Sequence, residues 1–247
     1  MSNQTLPESL ERLKNLLEEA VENGIQLNPQ RVKEITEQAN VQQEDVEMYA
    51  DFDHPLENGY GRSLVYDAGK FEIMVMSWNP GDYSSIHNHG YTQWGVVQAF
   101  GDVYHMSYTD RNGILDFSKK EIFPKGSIAK VNNALIHQMG NVTSDRYCTM
   151  HIYGCNDRDA DITADARNYE IEFDRVGLTT GGAFFNLPEG VIRDFEPGPK
   201  PSREVFLHHA SQLLKYYERI EQTDRVQELK ENILTRLREH TMQMADL

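Results

Sequence analysis

Cysteine is nearly absent: the 247 residues hold two, Cys148 and Cys155. That is too few for a disulfide framework, and their spacing is not the CxxC of a metal site, so reduced thiols and a cytoplasmic setting are expected. Long apolar runs are missing as well. None approaches the ~20 residues of a bilayer span, and the opening MSNQTLPESLERLKNLLEEA has neither a basic n-region nor the apolar stretch of a signal peptide. Positive charge is scarce, 24 Lys and Arg against 39 Asp and Glu, for a formal net charge of −15. Surfaces that neutralise phosphates draw on clustered cations, so neither nucleic acid nor an anionic membrane is expected as a partner.

What is present reads as a globular chain of mixed texture. Apolar residues Leu10, Leu13, Leu16, Leu17 and Val21 at helical spacing, between Pro7 and Gly24, predict a first helix. Asn28 as N-cap with Pro29 at the first helical position, then Val32, Ile35 and Ala39, predicts a second, and a shorter segment covers residues 43–50. Thirteen acidic against four basic residues over 1–57 read as a solvated helical face. From about Gly59 the pattern changes to the runs SLVYD, FEIMVMSW, WGVVQAF, DVYHMSY, EIFP, SIAKV and YCTMHIYG, separated by DAGK, NPGD, DRNG and PKG. Short strands with frequent turn signals predict a mainly β sandwich or barrel. After Asp161 the pattern weakens, and TTGGAFFNLPEGVIRDFEPGPKP reads as irregular connection with one short strand. Helical periodicity returns from Ser202 to about Met242, with Thr223 and Asp224 able to cap a second helix, as an amphipathic hairpin packed on the barrel or on another subunit. The expected layout is therefore a helical segment at 1–58, a barrel at 59–160, a connection at 161–200 and a helical extension at 201–247.

Within the strand-rich region, His87 and His89 are separated by one residue. Residues i and i+2 of a strand share a face, so the pair presents two imidazoles side by side, as metal ligation requires. A third histidine, His137, follows in PKGSIAKVNNALIHQMGN. His54, His105, His208, His209 and His240 lack ligand spacing and read as structural or surface histidines. Cys148 reads as a core thiol and Cys155 as inert.

The two segments GDYSSIHNHGYTQWGVVQAFG and PKGSIAKVNNALIHQMGN resemble the two motifs of the cupin superfamily of small β-barrels. That family often adds a Glu as fourth ligand, and here its slot falls on Gln93 or Trp94, neither a good ligand, which leaves three histidines. The thiol dioxygenase branch, typified by the cysteine dioxygenase family, has this set. VEMYADFDHPLENGYGRSLVYDAGKFEIMVMSW, the SSIH segment and TMHIYG resemble it in order over about residues 44–156. The resemblance implies a cupin-type barrel with N-terminal helices and a helical C-terminal extension, Fe(2+) held by His87, His89 and His137, Arg62 as clamp for a substrate carboxylate, and Tyr60 lining the same pocket. It also implies a relay of Thr149, His151 and Tyr153, whose alternation along one strand makes hydrogen bonding among them plausible. The expected activity is oxidation of a small thiol by O2 to a sulfinic acid. L-cysteine is the expected substrate, because relatives acting on 3-mercaptopropionate carry Gln where Arg62 stands. Another small thiol, or a non-catalytic metal-binding cupin that senses a ligand, are the alternatives. Animal members crosslink the tyrosine to a cysteine whose place here falls on Trp94 or Gly95, so Tyr153 is expected to be unmodified.

Overall fold

The computed structural model describes residues 5–187 and 191–245, with side chains through Arg238. Helices α1 (Glu8–Glu22), α2 (Pro29–Ala39) and α3 (Gln43–Glu47) come first, followed by a 3₁₀ turn at Leu56–Asn58. The strands are β1 (Gly61–Asp67), β2 (Phe71–Trp78), β3 (Ile86–His87), β4 (Trp94–Ala99), β5 (Val103–Arg111), β6 (Ile114–Phe123), β7 (Ile128–Val131), β8 (Ile136–Gly140) and β9 (Tyr147–Gly154). Then come β10 (Ala166–Glu170), β11 (Arg175–Thr179), β12 (Ile192–Pro197), β13 (Lys200–Pro201) and the helices α4 (Arg203–Arg219) and α5 (Thr223–Ala245). Among the described residues no helix is long and apolar enough to cross a membrane.

Two sheets build a small cupin-type barrel, one ordered β1-β2-β9-β4-β7 and the other β12-β11-β10-β3-β8-β5-β6-β13. The run FEIMVMSW is buried along nearly its whole length because both faces of β2 are covered. Ile73 and Val75 join Met150, Ile152, Val96 and Trp94 under the leucines of α1 and the apolar face of α2. The alternate residues Met74 and Met76 point inward with Val97, Ala99 and Tyr153. Fully burying such a side chain is worth about 1.5–3 kcal/mol, so this two-sided strand is the centre of the barrel's stability. The helical layer has the ends its sequence encodes: Asn28 Oδ1 accepts the N–H groups of Gln30 and Arg31, both at 3.0 Å, and Gly24, at φ 68°, ends the first helix. At the other side, Val205 and Phe206 of α4 pack on Ile86, Met106, Leu115 and Tyr169 of the second sheet. The C-terminal helices thus sit on their own barrel.

Residues 161–200 depart from the expected irregular connection. They supply β10, β11 and β12, which extend the second sheet outward from β3. β12, IRDFEP, is polar and largely exposed, whereas β10 and β11 are mostly buried but only five residues long, and their sequences ARNYE and RVGLT break the β-branched run that marks a buried strand. For the same reason β6 begins at Ile114, well before EIFP, its first seven residues being largely exposed.

Candidate metal centre and adjoining pocket

Strand pairing joins two of the three histidines, and a turn, not the strand the His-x-His spacing predicts, supplies the third. His87 on β3 lies directly opposite His137 on β8, and its other neighbour across the ladder is Asn168 on β10. The chain turns after His87 and brings in His89, whose Nε2 lies 3.0 Å from His137 Nε2, while His87 Nε2 lies 3.2 Å from the same atom. Burial holds all three imidazoles neutral: His87 is pushed down to about 4, and His89 and His137 fall well below the usual range. Neutral rings leave lone pairs free for a ligand.

The tautomers show what those lone pairs face. The Ser85 carbonyl can only accept, so the His87 Nδ1 at 2.9 Å from it carries the proton. His137 Nδ1 stands 3.0 Å from His105 Nε2, and Glu121 Oε1, 3.7 Å from His105 Nδ1, favours the tautomer with the His105 proton on Nδ1, in which His137 donates. His87 and His137 therefore aim two unprotonated Nε2 atoms at each other, an arrangement that is repulsive unless a cation lies between them. Two nitrogens about 2.1 Å from one ion at right angles are about 3.0 Å apart, so the spacing fits adjacent ligands of a first-row metal. The set His87, His89 and His137 is the metal-ligating cluster found among the described residues. Gln93 takes no part, since its side chain is bound to the Asn156 N–H and to Asp157, and Trp94 is buried in the outer core.

On the facing sheet, Thr149, His151 and Tyr153 follow one another along β9. Thr149 Oγ1 lies 2.7 Å from His151 Nε2, and His151 Nδ1 lies 2.7 Å from the Tyr153 hydroxyl. The Tyr153 ring is 5.3 Å from that of His89, which sets the end of the relay against the histidine cluster. Burial pushes His151 down to about 3 and raises the Tyr153 phenol far above its ordinary range. Tyr60 stacks on Trp78 with ring centres 4.9 Å apart, and its hydroxyl accepts the Ala183 N–H at 3.3 Å. Arg62, on edge strand β1 opposite Met76, is exposed, and its side chain makes no hydrogen bond or ion pair among the described residues. Its charge nevertheless reaches Tyr60, Glu72, His151 and Tyr153.

Several residues at this site escape the sequence reading. Trp78 donates its indole N–H to Thr149 Oγ1 at 2.9 Å. His105, expected to be an unremarked structural histidine, is buried behind His137 with Glu121 Oε1 3.7 Å from its Nδ1, and burial lowers it to about 4. Only the β5–β8 pairing, which sets Ser107 opposite His137, brings it there. Glu72 lies directly across from Tyr153, its Oε2 buried with no hydrogen-bond partner, and burial raises its carboxyl pKa. A lone carboxylate in an otherwise apolar run was the available signal. Of the remaining histidines, His54 is buried against Asp82 at 3.1 Å and His209 against Glu172 at 3.1 Å, His208 is half-buried, and the His240 side chain lies outside the described residues. Cys148 faces the helical layer, whereas Cys155 belongs to the inner cluster with Tyr153.

Comparison with known proteins adds a family. The model of cysteine dioxygenase type I matches residues 1–156. Among solved structures, a conserved protein with a double-stranded β-helix domain from Klebsiella pneumoniae is 16% identical, over 45% of this chain and 88% of that one, with a TM-score of 0.35. A cupin 2 conserved barrel domain protein from Salinispora arenicola is 13% identical over 40% and 79%, with a TM-score of 0.30. A variant of the oxalate decarboxylase of Bacillus subtilis is 14% identical over 40% and 27%, with a TM-score of 0.34.

Proposed function

Because the chain belongs to the cysteine dioxygenase type I family, matched over residues 1–156, we propose that it is a non-haem iron(II) thiol dioxygenase that converts L-cysteine to cysteine sulfinic acid. The observation that carries this reading is the convergence of three neutral imidazoles, with no fourth ligand grouped with them among the described residues, beside the Tyr153 end of the relay. His87, His89 and His137 would hold ferrous iron and leave positions open for small molecules. When bound, the ion supplies the redox chemistry by which a thiol takes up both atoms of dioxygen, RSH + O2 → RSO2H.

The protein's own groups do the rest. Arg62, whose guanidinium makes no ion pair among the described residues and acts on Glu72 only through its field, can take a substrate carboxylate in a bidentate charge-assisted pair. Glu72, an unpaired acid on the same inner face, favours a thiol that also carries an ammonium group and disfavours one that carries only a carboxylate, such as 3-mercaptopropionate. Trp78 can only donate, so Thr149 accepts from it and turns its own proton to His151 Nε2. His151, neutral, then carries its proton on Nδ1 and donates to the Tyr153 oxygen. That leaves the Tyr153 proton to donate into the pocket, where the raised pKa keeps it in place. Met74, Met76 and Val97 exclude bulk water around it.

The test is oxygen uptake by the ferrous-loaded protein with L-cysteine, cysteamine and 3-mercaptopropionate, with the product identified by mass. L-cysteine is expected to turn over fastest, one O2 per thiol, to the sulfinate. Fastest turnover of 3-mercaptopropionate would reassign the substrate, and no uptake with any thiol would remove the enzymatic reading.

A further inference from the structure

The family match ends at residue 156, yet the last turns of α4 touch the segment that carries Tyr60 and Arg62. Tyr216 and Arg219 lie three residues apart and so share a face of the helix. The Tyr216 hydroxyl donates to the Glu57 carbonyl at 2.6 Å. Arg219 forks: Nη2 donates to the Leu56 carbonyl at 3.2 Å and Nη1 to Asp82 Oδ1 at 2.7 Å. Asp82 is 1% exposed, and its other oxygen accepts the Asn79 N–H at 2.6 Å and meets His54 Nε2 at 3.1 Å. The 3₁₀ turn at Leu56–Asn58 is thereby tied to the segment that leads into β3 and His87. Downstream of the turn the chain has no slack: a Cβ on Gly59 would come within 2.8 Å of the Tyr83 carbonyl oxygen, and one on Gly61 within 2.1 Å of that of Asp51.

We propose that the C-terminal end of α4 is a clamp for the substrate loop, in which Tyr216 and Arg219 are positioning residues that set where Tyr60 and Arg62 stand. The clamp rests on the reading of Arg62 given above. It brings a part of the chain beyond the family match into substrate selection.

Two variants test it in the full-length, iron-loaded protein. Tyr216→Phe removes one hydroxyl. Arg219→Lys keeps a cation for Asp82 but cannot serve two acceptors with a planar fork. Exchange of the Asn58 and Gly59 amide hydrogens, bonded to the Pro55 and Leu56 carbonyls, reports the turn directly. In both variants that exchange should quicken, and KM for L-cysteine should rise roughly 2- to 10-fold, the scale of one hydrogen bond. Both kcat and iron content should stay within about twofold. Unchanged exchange at Asn58 and Gly59 in both variants overturns the clamp. Faster exchange with KM unchanged for every thiol overturns it as well, since the two side chains would then serve stability alone. Arg62→Ala, run in parallel, separates the two readings: if it leaves the L-cysteine to cysteamine preference intact while the clamp variants still raise KM, the Arg62 assignment fails and the clamp stands, acting through Tyr60.

Discussion

Trp78 and Thr149 are joined by a hydrogen bond of 2.9 Å between indole N–H and hydroxyl oxygen, across neighbouring strands. Because an indole nitrogen can only donate, the bond occupies one lone pair of the Thr149 hydroxyl and leaves its proton able to turn to His151 Nε2. Thr149→Ser should therefore keep the activity, whereas Thr149→Val, which fills the space without a hydroxyl, should lower kcat by about 3- to 10-fold, the scale of one net hydrogen bond. Steady-state kinetics at matched iron content check this. Equal kcat for both variants would make Thr149 a packing residue.

Arg62 provides a test of substrate identity. Its exposure screens the pair it would form, so Arg62→Ala should cost about 1–2 kcal/mol, roughly a 5- to 30-fold loss in kcat/KM for L-cysteine. Cysteamine, which has no carboxylate, should change far less. The measured quantity is the ratio of the two kcat/KM values in wild type and variant, and an unaltered ratio removes the clamp role.

Iron content examines the histidine cluster. Alanine at His87, His89 or His137 leaves two protein nitrogens, and each variant should lose both metal and activity. His105→Phe should keep the ring stacked on Phe123, 4.5 Å away in the wild type, yet hold iron about 10- to 100-fold more weakly, because His137 loses the acceptor that orients it. Competition with a ferrous chelator measures this, and full iron in any of the three alanine variants would refute the ligand set.

Acid should unfold the metal-free protein early. His87, His89, His105, His137 and His151 are all depressed in the folded state, burial being the first cause in each. Between pH 6.5 and about 4 the folded protein thus binds fewer protons than the unfolded chain, so stability rises with pH across this window and is lost on acidification. Each histidine contributes at most about 1.4 kcal/mol per pH unit, while Glu72 and Glu170, raised by burial, act in the opposite direction. Urea midpoints should fall from pH 7 to pH 5, and a flat profile would mean that these rings accept protons without unfolding.

Mass spectrometry addresses the crosslink. Gly95 is the residue opposite Tyr153 on β4, and a Cβ there would lie 3.3 Å from the tyrosine ring but 2.3 Å from the Ile152 carbonyl oxygen. That register resolves the choice between Trp94 and Gly95. The intact mass should equal that of the 28.4 kDa sequence with Tyr153 unmodified. A loss of two hydrogens mapping to a Tyr153–Cys155 peptide would contradict this, Cys148 being on the opposite face.

The barrel, its helical flanks and the residues of both motifs were legible because each rests on local pattern: the two-residue period of Thr149, His151 and Tyr153, the cap at Asn28, and the doubly apolar FEIMVMSW. His87 and His89 do converge, but not as one strand face, since β3 ends at His87 and a turn brings in His89. What escaped depends on which strand lies beside which. His105 gains meaning only through β8, Trp78 only through β9, and β10–β12 are short strands, the first two mostly buried and the third exposed, whose mixed residues carry no strong period. Exposed Arg62 could be named but not placed, since burial of an edge-strand cation is decided by what closes over it.

The pairing of β3 with β10 has a consequence for the order of assembly. His87 shares its ladder with Asn168, whose side chain also accepts from Ser85 and donates to the Phe184 carbonyl at 3.1 Å. During synthesis all three histidines leave the ribosome before that strand does. A nascent chain therefore exposes its three imidazoles while one flank of β3 is still unpaired, and the final ligand geometry must wait for contacts far along the chain. Closure of the ladder around His87 is in this sense a late event in folding, reached after the ligands themselves have been made.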